Sequence, residues 1–526
     1  MRTIDSHLAA QEYNLPQWLT QSGEGAVESD RRKSNNRCQA SILMTEKKIH
    51  LPPIIYFLLL AFVGGGGYWL FAQKSAPLSE ALAQTTPTPK PTPQIIVQPQ
   101  PVKALPGQLD TVPMFNSNSP EWVKTEGILL STFPPTGKAE KAAHLNFPFQ
   151  GRFDIFIHHQ THTPKDLQTF YLGVILHNPG KQPVTVDVLQ GATYLTQEAP
   201  YIPLPTYQEN PNNTVYAGPG DRAVNDVLQG KRQADFPAKL VIPPGQSRML
   251  LNHPTPVRNL EKPINGRSAL MRLNSNGQVY AASLTMFAKK NSDGSDKAPT
   301  LEEWQTLLNT GRLAGPRDKA PTPPEQTSGQ LIYGRVAGVQ QGSKWQALIV
   351  DSPTAKDFTI PQSGQAVSYG LNTLRGGRLG TNQNQTARML VRYPDTAYEA
   401  HGNYAVEYNL NIPLYNPTEQ PQKVTLTVET PLKEEKLSRG GLLFQKPPRD
   451  WPFLRGTVRL RYKDDQGQEK TRYVHLWHRT SEVLEPLETL TMPPGSRKSV
   501  QIDFIYPPDS TPPHVLTIRT LDSRIP

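Results

Sequence analysis

Residues 171–188, YLGVILHNPGKQPVTVDV, decide the fold. The first six are an apolar run, which is typical of a buried strand, and the run ends at the turn-forming sequence His-Asn-Pro-Gly. Residues 184–188 then alternate between apolar and polar side chains, as expected of a strand with one buried face. The stretch therefore predicts two strands joined by a turn at Asn178 and Pro179.

The same phrase recurs in the second half of the chain. Residues 410–428, LNIPLYNPTEQPQKVTLTV, repeat the strand, the Asn-Pro turn and the alternating strand. A second similarity follows in the same order along the chain, because LVIPPGQSR at 240–248 matches LTMPPGSR at 490–497. Two pairs of similar stretches that occur in the same order in both halves indicate a duplicated unit. The turn signatures of the two copies are Asn178, Pro179, Pro243, Pro244 and Gly245, and Asn416, Pro417, Pro493, Pro494 and Gly495.

Length and composition favour a mainly β chain. At 526 residues the chain exceeds what one hydrophobic core usually covers, and its 53 prolines disfavour long helices. We therefore predict two tandem β-sandwich-like units, at 105–288 and 330–526. The Gly- and Pro-rich segment 289–329 predicts a linker with one short helix, from Leu301 to about Leu313, which begins at a capping box of Thr300 and Glu303.

Each unit also contains a predicted hairpin. In the first unit, apolar runs flank Asn276-Gly277, a pair that commonly forms a two-residue turn. In the second unit, the runs at 458–462 and 473–476 flank turn-forming residues at 464–467.

A hydrophobic segment precedes the β units. Residues 54–72 carry no charge and are about as long as the ~20 residues that a spanning helix needs. Lys47 and Lys48 stand before this segment, so the positive-inside rule places everything after it outside the cytoplasm. We predict a disordered cytoplasmic tail at 1–46, with Met44 as an alternative start, a single-pass transmembrane signal-anchor at 47–74 and a Pro/Thr-rich spacer at 75–104. The β units are then expected in the periplasm, anchored to the inner membrane.

The charge of the chain narrows the class of partner. The formal net charge of +10 at pH 7 favours an anionic partner, such as nucleic acid, lipid headgroups or an acidic polymer. Export removes most nucleic-acid interpretations, which leaves the membrane, an anionic envelope polymer or another envelope protein. The single cysteine, Cys38, lies before the hydrophobic segment, so neither an intramolecular disulfide nor a thiolate metal site is expected after it.

Several phrases of the sequence resemble a known family. They are LPGQLD at 105–110, NSNSP at 116–120, TEGILLS at 125–131, RYPDTAY at 392–398, HGNY at 401–404 and YPPDSTPP at 506–513. In these phrases the chain resembles a cyanobacterial family of uncharacterised exported proteins, a domain of unknown function, from about Leu105 to the C-terminus. The resemblance implies a bacterial envelope setting and assigns no functional residue.

Three histidines form the best candidate for a metal site. On a helix, His158 and His162 would lie on one face at a spacing that suits a shared metal ion. Residues 153–157 predict a strand instead, in which His158 and His159 point to opposite faces and cannot share an ion. We therefore prefer the interpretation that all three are solvated histidines at the end of a strand, with a metal site as the alternative.

Other motifs carry weaker signals. Residues 366–370, AVSYG, resemble a nucleophile elbow with alanine in place of the first glycine, but they predict a β turn because no helix pattern follows. Residues 291–296 have oxygen ligands around a glycine but lack the spacing of a calcium loop. The acidic pairs Asp464-Asp465 and Glu434-Glu435 predict surface turns. No catalytic residue and no cofactor is expected.

Two functions remain open from the sequence. The first is a non-enzymatic, membrane-anchored binding or scaffold protein of the cell envelope, with an anionic partner. The alternative is an enzyme of the glycan hydrolase type that acts on envelope polysaccharides, for which a pocket with two carboxylates would be needed.

Overall fold

A computed structural model describes residues 92–162, 167–450 and 452–522. The predicted tail, the predicted anchor and the spacer up to residue 91 lie outside the described residues. Within the described ranges, no helix is long and apolar enough to cross a membrane. These ranges are mainly β, with several sheets and two α-helices.

The elements are numbered in chain order. Up to the second helix they are β1 (Gln94–Gln98), β2 (Val102–Lys103), β3 (Gln108–Leu109), β4 (Pro113–Ser117), β5 (Trp122–Val123), β6 (Gly127–Ser131), β7 (Phe149–His162), β8 (Phe170–His177), β9 (Val184–Leu195), β10 (Tyr207–Glu209), α1 (Pro219–Leu228), β11 (Lys239–Ile242), β12 (Ser247–Thr255), β13 (Ile264–Phe287), β14 (Lys289–Lys290), β15 (Asp296–Lys297) and α2 (Leu301–Thr310).

The remaining elements are all strands. They are β16 (Ala337–Gln341), β17 (Lys344–Leu348), β18 (Phe358–Thr359), β19 (Ala366–Leu371), β20 (Ala387–Arg392), β21 (Glu399–Ala400), β22 (Glu407–Tyr415), β23 (Gln422–Glu429), β24 (Leu442–Lys446), β25 (Pro452–Lys463), β26 (Glu469–Arg479), β27 (Glu488–Met492), β28 (Arg497–Ile505) and β29 (His514–Thr520).

One strand arrangement occurs twice along the chain. In the first half, β7, β13, β9 and β11 are neighbours in that order, and each adjacent pair is antiparallel. In the second half, β19, β29, β23 and β27 have the same order and the same directions. The antiparallel pairs β8 with β12 and β22 with β28 also correspond. The strands predicted on each side of Asn178 and Asn416 are therefore present and occupy equivalent places.

Strands of the first half pair with strands of the second half. Strand β16 lies between β4 and β20, and β21 follows β20, so three strands from beyond residue 330 extend the sheet of the first half. In the other direction, β10 pairs with β26, and β3 pairs with β17. Strand β1, inside the predicted spacer, pairs with β24. The halves thus exchange strands and are not separate in their hydrogen bonding.

The predicted hairpin at Asn276-Gly277 is wrong. Residues 264–287 form the single strand β13, whose register shifts between Ser275 and Val279 as it passes from β7 to β8. Asn276 lies inside this strand and does not turn the chain. Its Oδ1 accepts a hydrogen bond from the backbone N–H of Thr185 at 2.8 Å. The hairpin predicted in the second half is present as β25 and β26.

The segment predicted as a linker is packed onto the first half. Helix α2 begins at the predicted capping box, in which Thr300 and Glu303 each bond the other's backbone N–H. Trp304 of this helix is fully buried, and its ring fills the space above Gly173 of β8. The indole Nε1 donates to Asn252 Oδ1 at 3.2 Å. These contacts fix the segment in place.

Two large cores and one helix organise the molecule. One core lies inside the sheets of the second half, around Leu410, Leu426 and Ile502, and the other lies inside those of the first half. Helix α1 packs apolar side chains, including Val224 and Val227, in a cluster shared with Leu270 and Ile505. Since these two residues belong to β13 and β28, α1 joins the two halves.

Candidate functional site

The structure separates the histidines of the metal candidate. His158 Nδ1 lies 2.8 Å from Ser268 Oγ, whereas His159 contacts Ser117 Oγ at 2.9 Å and the Pro120 carbonyl at 2.8 Å. His158 and His159 are both buried, so the prediction that they are solvated is wrong: β7 is an internal strand at this point, between β5 and β13. Burial lowers the pKa of His159 to about 3. The side chain of His162 lies outside the described residues.

No cluster of metal ligands takes their place in the described part of the chain. Among the described residues, no group of three or more His, Cys, Asp or Glu side chains is positioned to hold a metal ion. The motif at 366–370 is strand β19 and not the predicted β turn, and Ser368 is buried against Gln100 and Thr517. It has no access to solvent and cannot serve as a nucleophile.

Asn178 holds two turns together. Its Nδ2 donates to the Gln182 carbonyl at 2.7 Å and to the Ile242 carbonyl at 2.9 Å, while its Oδ1 accepts from the Gly180 N–H at 2.8 Å. Its backbone N–H donates to the Gln246 carbonyl at 3.0 Å. The Asn-Pro turn and the Pro-Pro-Gly turn are thereby fastened to each other.

Asn416 repeats this arrangement. Its Nδ2 donates to the carbonyls of Gln420 and Met492, each at 2.9 Å, and its backbone N–H donates to the Ser496 carbonyl at 3.0 Å. In both Pro-Pro-Gly turns the glycine has positive φ, 65° at Gly245 and 64° at Gly495, which a side chain would disfavour. The turn signatures are therefore structural and contact no cavity described below.

Two buried carboxylates meet at one arginine. Arg272 Nη1 lies 2.7 Å from Glu407 Oε2, and Arg272 Nε lies 3.7 Å from Asp154 Oδ2. Burial raises the pKa of Asp154, against the opposing effect of Arg272. Burial also works to raise the pKa of Glu407, but Arg272 and Lys344 together bring it below its ordinary value. Because Asp154 is fully buried and Glu407 is 5% exposed, this group forms an internal ion network.

A second buried polar group lies beneath α1. His475 Nε2 is 2.7 Å from Asp221 Oδ2, and both side chains are fully inaccessible. Asn225 Nδ2 donates to the other carboxylate oxygen at 2.6 Å, and Asn225 Oδ1 accepts from the Thr457 N–H at 3.1 Å. The group fastens α1 to β25 and β26.

A third charged group, which is partly exposed, lies on the outer face of β25 and β28. Asp503 is fully buried, and its Oδ2 accepts from Arg459 Nε at 2.9 Å and from Arg461 Nη2 at 2.8 Å. The side chain of Arg461 is 38% exposed. Two guanidinium groups share one carboxylate, so the group carries a surplus positive charge at the surface.

Two apolar cavities lie near the cores. One is lined by side chains of the second half, among them Leu454, Phe504, Tyr506 and His514. The other lies in the first half beside His159 and Arg267. Neither is lined by a carboxylate, so neither offers the pair that a glycan hydrolase requires.

The family of the chain follows from its sequence. A family described as "Protein of unknown function (DUF3370)" matches residues 100–520. The chain belongs to this family. The resemblance to a family of unknown function is thus confirmed, whereas a cyanobacterial origin stays a prediction. No curated protein matches this DUF3370 chain.

Solved structures add no functional argument for the DUF3370 chain. It is similar to Lac15 from a marine microbial metagenome at 9% identity and a TM-score of 0.08, covering 69% of this chain and 51% of that one. The 11S allergen from Cocos nucifera L. gives 9% identity and a TM-score of 0.09, covering 72% of this chain and 88% of that one. At scores this low, neither likeness carries an argument about the fold or the function of the chain.

The charged groups were not among the residues that the sequence predicted to be functional. Asp503, Arg459 and Arg461 stand on two strands that are distant in sequence, and only the register of β25 against β28 brings them together. The alternation of charged and apolar residues in 458–462 was a usable signal, since it placed both arginines on the outer face.

Proposed function

We propose that this chain is a non-enzymatic binding or scaffold protein of the bacterial cell envelope, anchored in the inner membrane and folded on the periplasmic side. The uncharged segment 54–72, with Lys47 and Lys48 before it, supports the anchor and its direction. The duplicated strand order supports two β-sandwich-like units as its folded part, after the Pro-rich spacer.

The observation that carries the binding role is the group of Arg459, Arg461 and Asp503. Its surplus positive charge stands on an outer sheet face, and the chain as a whole carries a net charge of +10. Both features favour an anionic partner. Outside the cytoplasm such a partner is an acidic envelope polymer, an anionic membrane surface or an acidic envelope protein.

The experiment measures retention on isolated envelope components. The full chain, purified in detergent, is mixed with peptidoglycan, an immobilised acidic polysaccharide or vesicles of anionic lipid, at low and high salt. We expect retention on at least one of these at low salt, with loss at high salt, because added ions screen exposed charges. Retention no greater than on a neutral polysaccharide and on zwitterionic vesicles would overturn the proposal.

We do not propose the hydrolase alternative. Its best carboxylate pair, Asp154 and Glu407, is buried and bridged by Arg272, which leaves no room for a sugar between the two acids. Release of new sugar ends from peptidoglycan by the purified chain would contradict this part of the proposal.

A further inference from the structure

The arginine pair belongs to a larger surface, which we call the amide face. Five neighbouring strands, β17, β22, β28, β25 and β26, turn alternate side chains away from the core of the second half. Register places them in two rows. The first row is Gln346, Asn409, Asp503, Arg459 and Tyr473, and the second row is Leu348, Asn411, Gln501, Arg461 and Thr471. With strands about 4.8 Å apart, the rows are about 19 Å long.

The second row is open to solvent. Leu348 is 50% exposed, Asn411 and Thr471 are exposed, and Gln501 and Arg461 are half-buried. The first row is more enclosed, because Arg459 Nη1 donates to the carbonyl of Leu228 at the end of α1, at 3.4 Å. The helix end therefore borders the amide face on one side.

The polar groups of this face are held in place by one another. Asn409 donates to Asp503, Gln501 Nε2 donates to Asn409 Oδ1 at 3.4 Å, and Ser499 Oγ donates to Asn411 Oδ1 at 3.2 Å. The guanidinium of Arg461 uses Nη2 for Asp503, and its Nε is buried without a hydrogen-bond partner in the described structure, while the side chain as a whole is 38% exposed. A preorganised and partly exposed guanidinium suits a carboxylate, to which its solvent-facing N–H groups can donate.

We propose that the amide face binds an acidic polysaccharide, a chain of sugar rings that carry carboxylates. Arg461 binds a ring carboxylate, and Asn411 and Gln501 bind ring hydroxyls. The exposed side chain of Leu348 packs against the apolar face of a ring. The proposal rests on the proposed function and names its partner.

A polysaccharide fits this surface better than a lipid layer does. Membrane surfaces attract flexible basic clusters by charge alone, whereas the second row combines one partly exposed arginine with amides, a hydroxyl and an apolar side chain. Such a mixture recognises an extended molecule that presents hydroxyls, carboxylates and C–H surfaces at intervals. The nearby lysine of β28, Lys498, already pairs with Asp465 at 2.8 Å.

The test uses polygalacturonate, a polymer of uronic acid, as the probe. Binding of the full chain in detergent is measured by affinity electrophoresis, with the carboxyl-reduced polymer alongside. We expect binding to polygalacturonate, about tenfold weaker binding by Arg461→Ala and by Asn411→Ala/Gln501→Ala, and loss with the reduced polymer. Matched controls are Arg388→Ala, on an exposed position of β20, and Gln466→Ala, in the β25–β26 turn, which should bind as the unchanged chain does.

The outcomes separate the inference from the proposed function. Retention on anionic vesicles or peptidoglycan without binding to polygalacturonate overturns the inference and leaves the proposed function standing. Binding that the amide-face variants do not weaken also overturns it. Failure to bind any anionic probe overturns both. In the Arg461→Ala variant, Asp503 still pairs with Arg459. We therefore expect an unchanged thermal midpoint, which would show that the variant folds.

Discussion

Asn178 and Asn416 each bridge two turns with a single amide group. In both cases the Nδ2 group donates to one carbonyl within its own Asn-Pro turn and to another at the start of a Pro-Pro-Gly turn. Both asparagines, Ile242 and Met492 are fully buried, so the carbonyls of Ile242 and Met492 have no water to replace a lost donor.

Replacing either asparagine should destabilise the fold by a similar amount. Asn178→Ala and Asn416→Ala each leave one buried carbonyl, that of Ile242 or Met492, without its side-chain donor, which costs about 2 kcal/mol of unfolding free energy. Urea denaturation followed by tryptophan fluorescence measures the loss, and Asn291→Ala, in the exposed turn between β14 and β15, is the control. A loss of stability on replacing one asparagine and none on replacing the other would show that Asn178 and Asn416 are not equivalent.

Removing Arg272 should be more costly. Arg272→Met leaves Asp154 and Glu407 buried with fewer positive partners, and breaking such a network typically costs about 3–5 kcal/mol. The double variant Arg272→Met/Glu407→Gln should recover part of this loss. Denaturation midpoints measure both, with Arg388→Met as the exposed control. A single variant as stable as the control would mean that the network contributes no net stability.

Acid should destabilise the protein through its buried histidines. Burial lowers the pKa of His478 to about 3 from an ordinary value of 6.5, and it does the same for His514. The unfolded chain then binds protons that the folded chain does not, so their contribution is complete above pH 6.5 and is lost as the pH falls toward about 3. In His478→Phe, the thermal midpoint should fall less between about pH 7 and about pH 4.5 than in the unchanged chain. Parallel curves would contradict the assignment.

Helix α2 should depend on one side chain. Trp304→Ala removes a fully buried indole from its place above Gly173 and costs about 3–5 kcal/mol of unfolding free energy. Glu302→Ala, on the exposed side of the same helix, should change little. Limited proteolysis with cleavage between residues 289 and 329 should increase in the first variant only, and equal cleavage in both would argue that Trp304 does not hold the segment.

The sequence predicted strands well where periodicity was strong. The runs on each side of Asn178 and Asn416 are strands, and the capping box at Thr300 and Glu303 starts a helix. Turn chemistry was a weaker guide. Asn276-Gly277 predicted a hairpin, but the contacts of Asn276 with Thr185 and of Gly277 with Val184 come from strand β9, which sequence-local signals do not include.

The candidate site could be predicted only in part. Net charge and the predicted export favoured an anionic partner, whereas residues 458–462 were interpreted only as one strand of a hairpin. The amide face needs five strands in register, drawn from residues 344 to 479 and 497 to 505, and register between distant strands is not encoded locally. The burial of His158 and His159 escaped prediction for the same reason, because their neighbours belong to distant strands.

The exchange of strands between the halves sets the order in which the chain acquires its structure. Strand β4 has β16 as a neighbour, and β10 has β26, so early strands stay open until residues hundreds of positions later have been made. Pairings this distant in sequence close slowly. Folding is therefore expected to follow synthesis, and neither half should reach its final pairing before nearly the whole chain exists.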